Sequence, residues 1–305
     1  MLAYLQTQLA SGISPSQGVI LYVWKQLSPS VEHQLALGTA FGMTDTGTVR
    51  PSNEDNFLID PSLGLLAIAD GMGGHDAGEV ASSDALMAVA HFIRARAASD
   101  QGEQIPNFDP GIVDPARNDP EATWADGNYD AMVTLHEAVE FANQRMYQTN
   151  VDNRRGDGGG MGTTLTGLWQ PQAGGPALVF HVGDTRLYRL RAGSLVQLTR
   201  DQTMYQQAYE NGARQNMPPR NLLLQALGPS CGIKPELQAR PVTPGDLYLL
   251  CSDGLHGAIT DEHIAAVMGA AQPADLGASC AQLISMAKLN GSRDNITVVL
   301  FQCSH

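Results

Sequence analysis

Two apolar runs, each closed by an Asp-Gly pair, constrain this chain most. Leu65-Leu-Ala-Ile-Ala69 carries no polar residue at either alternation, as a strand buried on both faces requires. It stops at Asp70-Gly-Met-Gly-Gly74, read as a glycine-dense turn. Leu247 to Cys251 predicts a second apolar strand, and Asp253-Gly254 follows it. A lone Asp-Gly pair is ordinarily a turn. Two of them, each after an apolar run, suggest something more.

The rest of the chain alternates short strands with amphipathic helices. Leu86, Val89, Ala90 and Ile93 have helical spacing, which predicts a helix from Glu79 to about Ala98, with Glu79 suiting its N-terminus. Met132, Leu135, Val139, Ala142 and Met146 predict another from Asp130 to about Gln148. Between them, residues 99–128 are rich in Pro, Asp, Asn and Gly and read as a surface insertion. Strands are expected at Thr163–Trp169 and Ala177–Val182. Leu187–Arg191 and Leu195–Leu198 are expected as a hairpin about Ala192-Gly193-Ser194. Residues 200–229 read as a helix, a Pro-Pro loop and a short apolar segment. Thr260 is placed as an N-cap supported by Asp261 and Glu262. Pro273 to Lys288 is amphipathic and closes at Asn290-Gly291, and Ile296 to Phe301 is the last strand. No long crossover helix separates each strand from the next, which argues against a doubly wound parallel sheet. The expected class is α+β, with helices packed outside antiparallel sheets.

Charge narrows the function. Asp and Glu outnumber Lys and Arg by 31 to 18, a net charge of −13, and there is no basic run. Binding to nucleic acid or to an anionic membrane would lack its usual attraction. The four cysteines form no C-x-x-C pair, so no disulfide framework is expected. No secretion signal is apparent, and the run from Gly18 to Trp24 is too short to span a bilayer. These points lead us to expect a soluble, cytoplasmic protein, and we take it as a monomer. We divide it into an N-terminal extension of no assigned role, residues 1–35, and a main domain, residues 36–305, which holds the motifs described below.

Acidic residues gather at four places: Asn53-Glu54-Asp55, Asp70-Gly71, Asp253-Gly254 and Asp294-Asn295. Neighbouring ends of antiparallel strands lie together, so Asp70, Asp253 and Asp294 are expected along one sheet edge. Crowded carboxylates are costly unless cations neutralise them, and hard divalent ions bind carboxylate, carbonyl and water oxygens. The glycines after Asp70 and Asp253 let the main chain approach closely.

Arg50-Pro-Ser-Asn-Glu-Asp55, Asp70-Gly-Met-Gly-Gly74, Gly162-Thr-Thr164, His181-Val-Gly-Asp-Thr-Arg186, Leu249-Leu-Cys-Ser-Asp-Gly-Leu255 and Asp294-Asn-Ile-Thr297 occur in this order. Together they resemble the metal-dependent protein phosphatases, also called type 2C, in their bacterial serine/threonine branch. The resemblance implies a four-layer α-β-β-α sandwich, with two antiparallel sheets flanked by helix pairs. It implies two Mn²⁺ or Mg²⁺ ions and a more weakly held third. Asp70 would bridge the pair and the Gly71 carbonyl would bind one ion. Asp253 and Asp294 would hold the other. Glu54 and Asp55 would act directly or through water, and Asp184 would serve the third ion with Asp253. Arg50 would grip the substrate phosphate. Asn295 would orient ligands or complete its turn.

The implied reaction is hydrolysis of phosphoserine or phosphothreonine by a water or hydroxide shared between two ions. The implied partners are phosphorylated proteins, such as a Ser/Thr kinase or its substrates. Where animal and plant members often carry a histidine, this chain has Met72, which leaves the proton donor to a bound water. His75 is read as a turn or helix-start residue. Cys251 is not expected as a nucleophile. Thr163 and Thr164 are assigned to packing and backbone hydrogen bonding, Arg186 to an ion pair and His181 to the sheet. Two rival readings remain at this point: a non-catalytic adaptor on the same fold, and a hydrolase of small phosphate esters.

Overall fold

A computed structural model describes residues 25–73, 77–99, 126–153, 160–172, 174–272 and 274–304. One sheet contains β1 (Glu32–Leu35), β2 (Gly38–Asp45), β8 (Arg186–Arg191), β9 (Ser194–Gln197), β11 (Leu247–Cys251) and β12 (Ile296–Cys303). Its order is β1-β2-β12-β11-β8-β9. The other contains β3 (Asp55–Asp60), β4 (Leu65–Met72), β6 (Leu165–Trp169), β7 (Ala177–Val182) and β10 (Glu236–Arg240), in the order β10-β7-β6-β4-β3. A short β5 (Gly162–Thr163) pairs with the end of β4. All these pairings are antiparallel.

Helices α1 (Ala77–Ser99) and α2 (Asp126–Asp152) cover the second sheet. The first sheet is covered by α4 (Asp253–His256), α5 (Asp261–Ala270) and α6 (Leu276–Leu289). The short α3 (Met204–Glu210) lies between β9 and β10 in sequence. Three apolar cores therefore separate four layers, the sandwich that the motifs implied.

The two apolar runs explain the layering. Along β4, Leu65, Ala67 and Ala69 join the core under α1 and α2, while Leu66 and Ile68 join the core between the sheets. Along β11, Leu249 and Cys251 join the helix side and Tyr248 and Leu250 the sheet side. Burying each such Leu or Ile contributes about 1.5–3 kcal/mol, so neither strand tolerates a polar residue on either face.

Several expectations shift. The Asp70-Gly-Met segment is not a turn: β4 continues to Met72, and β5 pairs with its end. The Thr163–Trp169 strand breaks at Thr164 into β5 and β6. The helix expected from Pro273 begins at Leu276, because the Asp275 carboxylate caps it by accepting from Ala278 N at 3.0 Å. Thr260 does occupy the cap position of α5, but its hydroxyl makes no cap bond. Residues 25–35, placed with the N-terminal extension, are joined to the body. Leu27 packs on the helix-side core, its N–H donates to Asn56 Oδ1 at 3.0 Å, and β1 extends the first sheet. Residues 1–24, His75 and nearly all of the 99–128 insertion lie outside the described residues.

Candidate active site

The acids meet at one end of the sandwich, on two sheets rather than along one edge. Asp253 follows β11 and Asp294 precedes β12, which are paired neighbours in the first sheet. Asp70 and Asp55 belong to the second sheet and are direct cross-strand partners on β4 and β3. Asp184 lies in the turn between β7 and β8, where the chain crosses from one sheet to the other. The strand-end reasoning was right for Asp253 and Asp294. It missed that Asp70 reaches them across the inter-sheet core.

The two halves are stitched together by side chains. Ser252 Oγ donates to Asp55 Oδ2 at 2.7 Å and accepts from Thr297 N at 2.9 Å. Asn295 Oδ1 accepts from Glu54 N at 2.8 Å, while its Nδ2 donates to the carbonyls of Thr46 and Ser52, both at 2.9 Å. Thr297 and Thr44 share a hydroxyl contact of 2.7 Å, and Asn53 Nδ2 donates to Thr44 Oγ1 at 2.8 Å. Sequence reasoning did not single out Ser252, although it stands inside the quoted Leu249–Leu255 motif.

Asp70 is clamped through its backbone. Its N–H donates to Thr164 Oγ1 at 2.9 Å, and its carbonyl accepts from Thr163 Oγ1 at 2.8 Å and Thr164 N at 2.9 Å. The glycines let neighbours close in. A Cβ on Gly71 would stand 2.1 Å from Gly78 O, and one on Gly254 would stand 1.9 Å from Asn295 O. Neither glycine has a positive φ, so close approach is their reason, not a turn.

Removal from water is the main force on the carboxyl groups. It pushes Asp55 up to about 7 and Asp184 up to about 8, with the charge of Asp253 adding to both. Asp70 is raised well above the carboxylate range by burial and then by Asp55, Asp253, Asp184 and Asp294. Asp253 rises to about 6 through burial and then Asp294. Asp253 Oδ1 is buried and has no hydrogen-bond partner among the described residues. No group of three or more His, Cys, Asp or Glu is placed to hold a metal ion by itself among those residues. Mg²⁺ and Mn²⁺ take oxygen ligands and keep several waters of their own, so they need fewer side chains than such a group supplies. The orphaned Asp253 oxygen and the mutually repelling carboxyls fit such ions.

Arg50 Nη2 donates to Asp294 Oδ2 at 2.6 Å, in a pair with 51% and 35% of the side chains exposed. Arg186 forms a fork with Asp201 at 2.8 and 2.7 Å, the ion pair expected of it. His181 is satisfied on both nitrogens, by Thr166 Oγ1 at 2.7 Å and Arg200 O at 2.9 Å. Burial pushes the Cys251 thiol far up, out of range of a thiolate nucleophile. His256, which sequence reasoning passed over, donates from Nε2 to the Asp184 carbonyl at 3.0 Å and so ties α4 to the crossing turn.

Arg50, Glu54, Asp70, Gly71, Met72, Asp184, Asp253, Asp294 and Asn295 all open onto one cleft of about 1290 Å³. Its opposite wall comes from residues 221–234. An α-β-β-α sandwich with a carboxylate-lined cleft at one end defines a narrow structural class.

Comparison with known proteins places the chain within it. The protein phosphatase 2C family model matches residues 50–289, and the chain belongs to that family. Serine/threonine protein phosphatase PstP of Mycobacterium tuberculosis is 35% identical over 262 residues, 84% of this chain and 43% of PstP. The chain thus spans less than half the length of that relative. The crystal structure of the Mycobacterium tuberculosis phosphatase PstP/Ppp matches with a TM-score of 0.68 at 33% identity, covering 87% of this chain and 98% of that one. The PstP catalytic domain in complex with two manganese ions matches with a TM-score of 0.66 at 33% identity, over 87% and 98%.

Proposed function

We propose that this chain is a metal-dependent protein serine/threonine phosphatase. The observation that carries the reading is the convergence of Arg50, Asp55, Asp70, Asp184, Asp253 and Asp294 at one end of a 2C-family sandwich. Asp70, the Gly71 carbonyl, Asp253 and Asp294 would hold two Mn²⁺ or Mg²⁺ ions, with Glu54 and Asp55 acting directly or through water. Asp184 would share a weaker third ion with Asp253. When bound, such ions supply charge to the phosphoryl oxygens and lower the pKa of a coordinated water towards neutrality.

The chain's own groups do the positioning. Thr163 and Thr164 fix the Asp70 backbone, and Ser252 fixes the rotamer of Asp55 through its 2.7 Å bond. Arg50, held by Asp294 beside the cleft, would offer its guanidinium fork to two phosphate oxygens if Asp294 served a cation instead. Met72 lines the cleft and has no proton to give, so the leaving alkoxide takes its proton from water. A cleft of about 1290 Å³ is larger than a small phosphate ester needs, which favours a protein segment as substrate. A phosphomonoesterase of this kind consumes the product of a Ser/Thr kinase, and we place both in the cytoplasm. No helix among the described residues is long and apolar enough to cross a membrane.

The test is hydrolysis of a phosphothreonine peptide by the purified chain with Mn²⁺, with EDTA and as Asp253→Asn. Release of phosphate only by the Mn²⁺-loaded wild type supports the reading. Equal release by the variant refutes it. A small ester outcompeting the peptide returns the substrate to the small-molecule class.

A further inference from the structure

The wall facing the acids differs from them in kind. Leu222 and Leu224 line the cleft and are each 42% exposed, an uncommon setting for two leucines one residue apart. Their backbone is fixed: Met204 N donates to Leu222 O and Leu224 N to Gln202 O, both at 2.8 Å. Gln225 closes the wall by bonding both ways to the Lys234 backbone, at 2.7 and 3.0 Å. Apolar side chains on a pinned backbone form a surface ready for a partner, not a loop awaiting collapse.

The charge of the segment that ends in this wall is also unusual. Residues 199–234 carry four cations, Arg200, Arg214, Arg220 and Lys234, and two acids, Asp201 and Glu210, in a chain of net charge −13. Both acids are already engaged, Glu210 by Arg200 and Asp201 by Arg186. Arg220 and Lys234 have no carboxylate partner among the described residues. Lys234 lines the cleft. Arg220 is held over the Tyr205 ring, 4.2 Å from its centroid, and donates to the Tyr205 hydroxyl at 3.1 Å. The ring orients that guanidinium without neutralising it.

We propose that the 221–234 wall and the adjoining Arg220 read the substrate peptide: Leu222 and Leu224 take an apolar side chain beside the phosphorylated residue, and Lys234 with Arg220 takes an acidic side chain further along. This rests on the phosphatase reading above and names its substrate class. The two cations offer an acidic peptide a favourable approach to a cleft that its carboxylates would otherwise close to it.

The test uses the Mn²⁺-loaded chain, p-nitrophenyl phosphate and three phosphothreonine peptides: one with Leu and Glu in the flanks, one with Leu and Lys, one with Ser and Glu. Each rate is divided by the same protein's rate on the small ester. Wild type should favour the Leu/Glu peptide over Leu/Lys by about fivefold in kcat/KM, the scale of two exposed ion pairs. Arg220→Glu with Lys234→Glu should reverse that order, and salt of about 1 M should erase it. Leu222→Asn with Leu224→Asn should remove the advantage of Leu over Ser. The same order of peptides in wild type and charge-reversed protein overturns the proposal. Failure on peptides and small ester alike would instead overturn the phosphatase reading beneath it.

Discussion

Asp55 and Asp70 face each other as direct cross-strand partners on β3 and β4, one carboxyl buried and the other half-buried at the cleft, where a sheet ordinarily pairs unlike charges or apolar groups. Removal from water pushes both upward, Asp55 to about 7 with the charges of Asp253 and Asp294 adding to it, and Asp70 well beyond the carboxylate range with the charge of Asp55 adding to it. The site therefore costs the metal-free chain stability that cations restore. Adding Mn²⁺ to a hundred times its dissociation constant should stabilise the fold by about 2.7 kcal/mol. Calorimetry should read this as a rise in Tm of several degrees, reversed by EDTA. Asp70→Asn removes the repelling charge, so the metal-free variant should melt no lower than wild type while its Mn²⁺ shift shrinks. A variant that melts lower yet keeps the full shift would contradict this account.

Arg50 is expected to act on binding and hardly on folding. Its pair with Asp294 is half exposed, so Arg50→Ala should change stability by less than about 1 kcal/mol. The lost phosphate contact should appear as a raised KM for a phosphopeptide, with kcat less affected. Steady-state kinetics beside a denaturant titration separate the two effects. An unchanged KM would leave Arg50 as a partner of Asp294 only.

Burial on both faces made β4 and β11 legible, because it leaves a continuous apolar run. β2 left no such signal. Gly42 lies beneath the Phe57 ring, where a Cβ would stand 2.3 Å from Phe57 Cε2, so an interior strand position is given to glycine. β3 opens with Asp55 and Asn56, polar residues that serve the site and the N-terminal segment. The acids could be picked out beside glycines, but their meeting across two sheets could not. It depends on contacts such as Ser252 to Asp55, 197 positions apart, which no local pattern records. Asn295 stayed open between orienting ligands and completing its turn, because its three partners lie more than 240 positions away.

His181 sets a pH limit on the fold. It is buried, and desolvation lowers it from 6.5 to about 4. The unfolded chain takes up a proton near 6.5 that the folded chain refuses until about 4. Its contribution is thus fully present above 6.5 and is lost as pH falls through that window, up to about 3 kcal/mol. His181→Gln should flatten the fall in stability between pH 6.5 and 4 when compared with wild type by urea titration. An equal slope in both proteins would assign the acid sensitivity to other groups.

Asn295 is where the fold and the site are hardest to separate. It is 5% exposed and spends three hydrogen bonds on the segment that carries Arg50 and Glu54: one accepted from Glu54 N and two donated to Thr46 O and Ser52 O. Asn295→Ala leaves those backbone groups with no side-chain partner in a confined space, which should cost about 2–4 kcal/mol. Asn295→Asp keeps the acceptor for Glu54 N, loses both donors and adds a charge beside Asp294. It should therefore fold less stably than wild type and repel the phosphate. If Asn295 only closed its own turn, both variants would lose stability yet keep the Mn²⁺-induced rise in Tm. If it holds the 46–54 segment against the acids, that rise should shrink in Asn295→Ala, and Mn²⁺ should bind more weakly even at a temperature where the protein is fully folded. Titrating Mn²⁺ calorimetrically into the folded variant decides between them: a dissociation constant raised about tenfold or more fits the loss of an outer-shell partner, and an unchanged one confines Asn295 to the architecture.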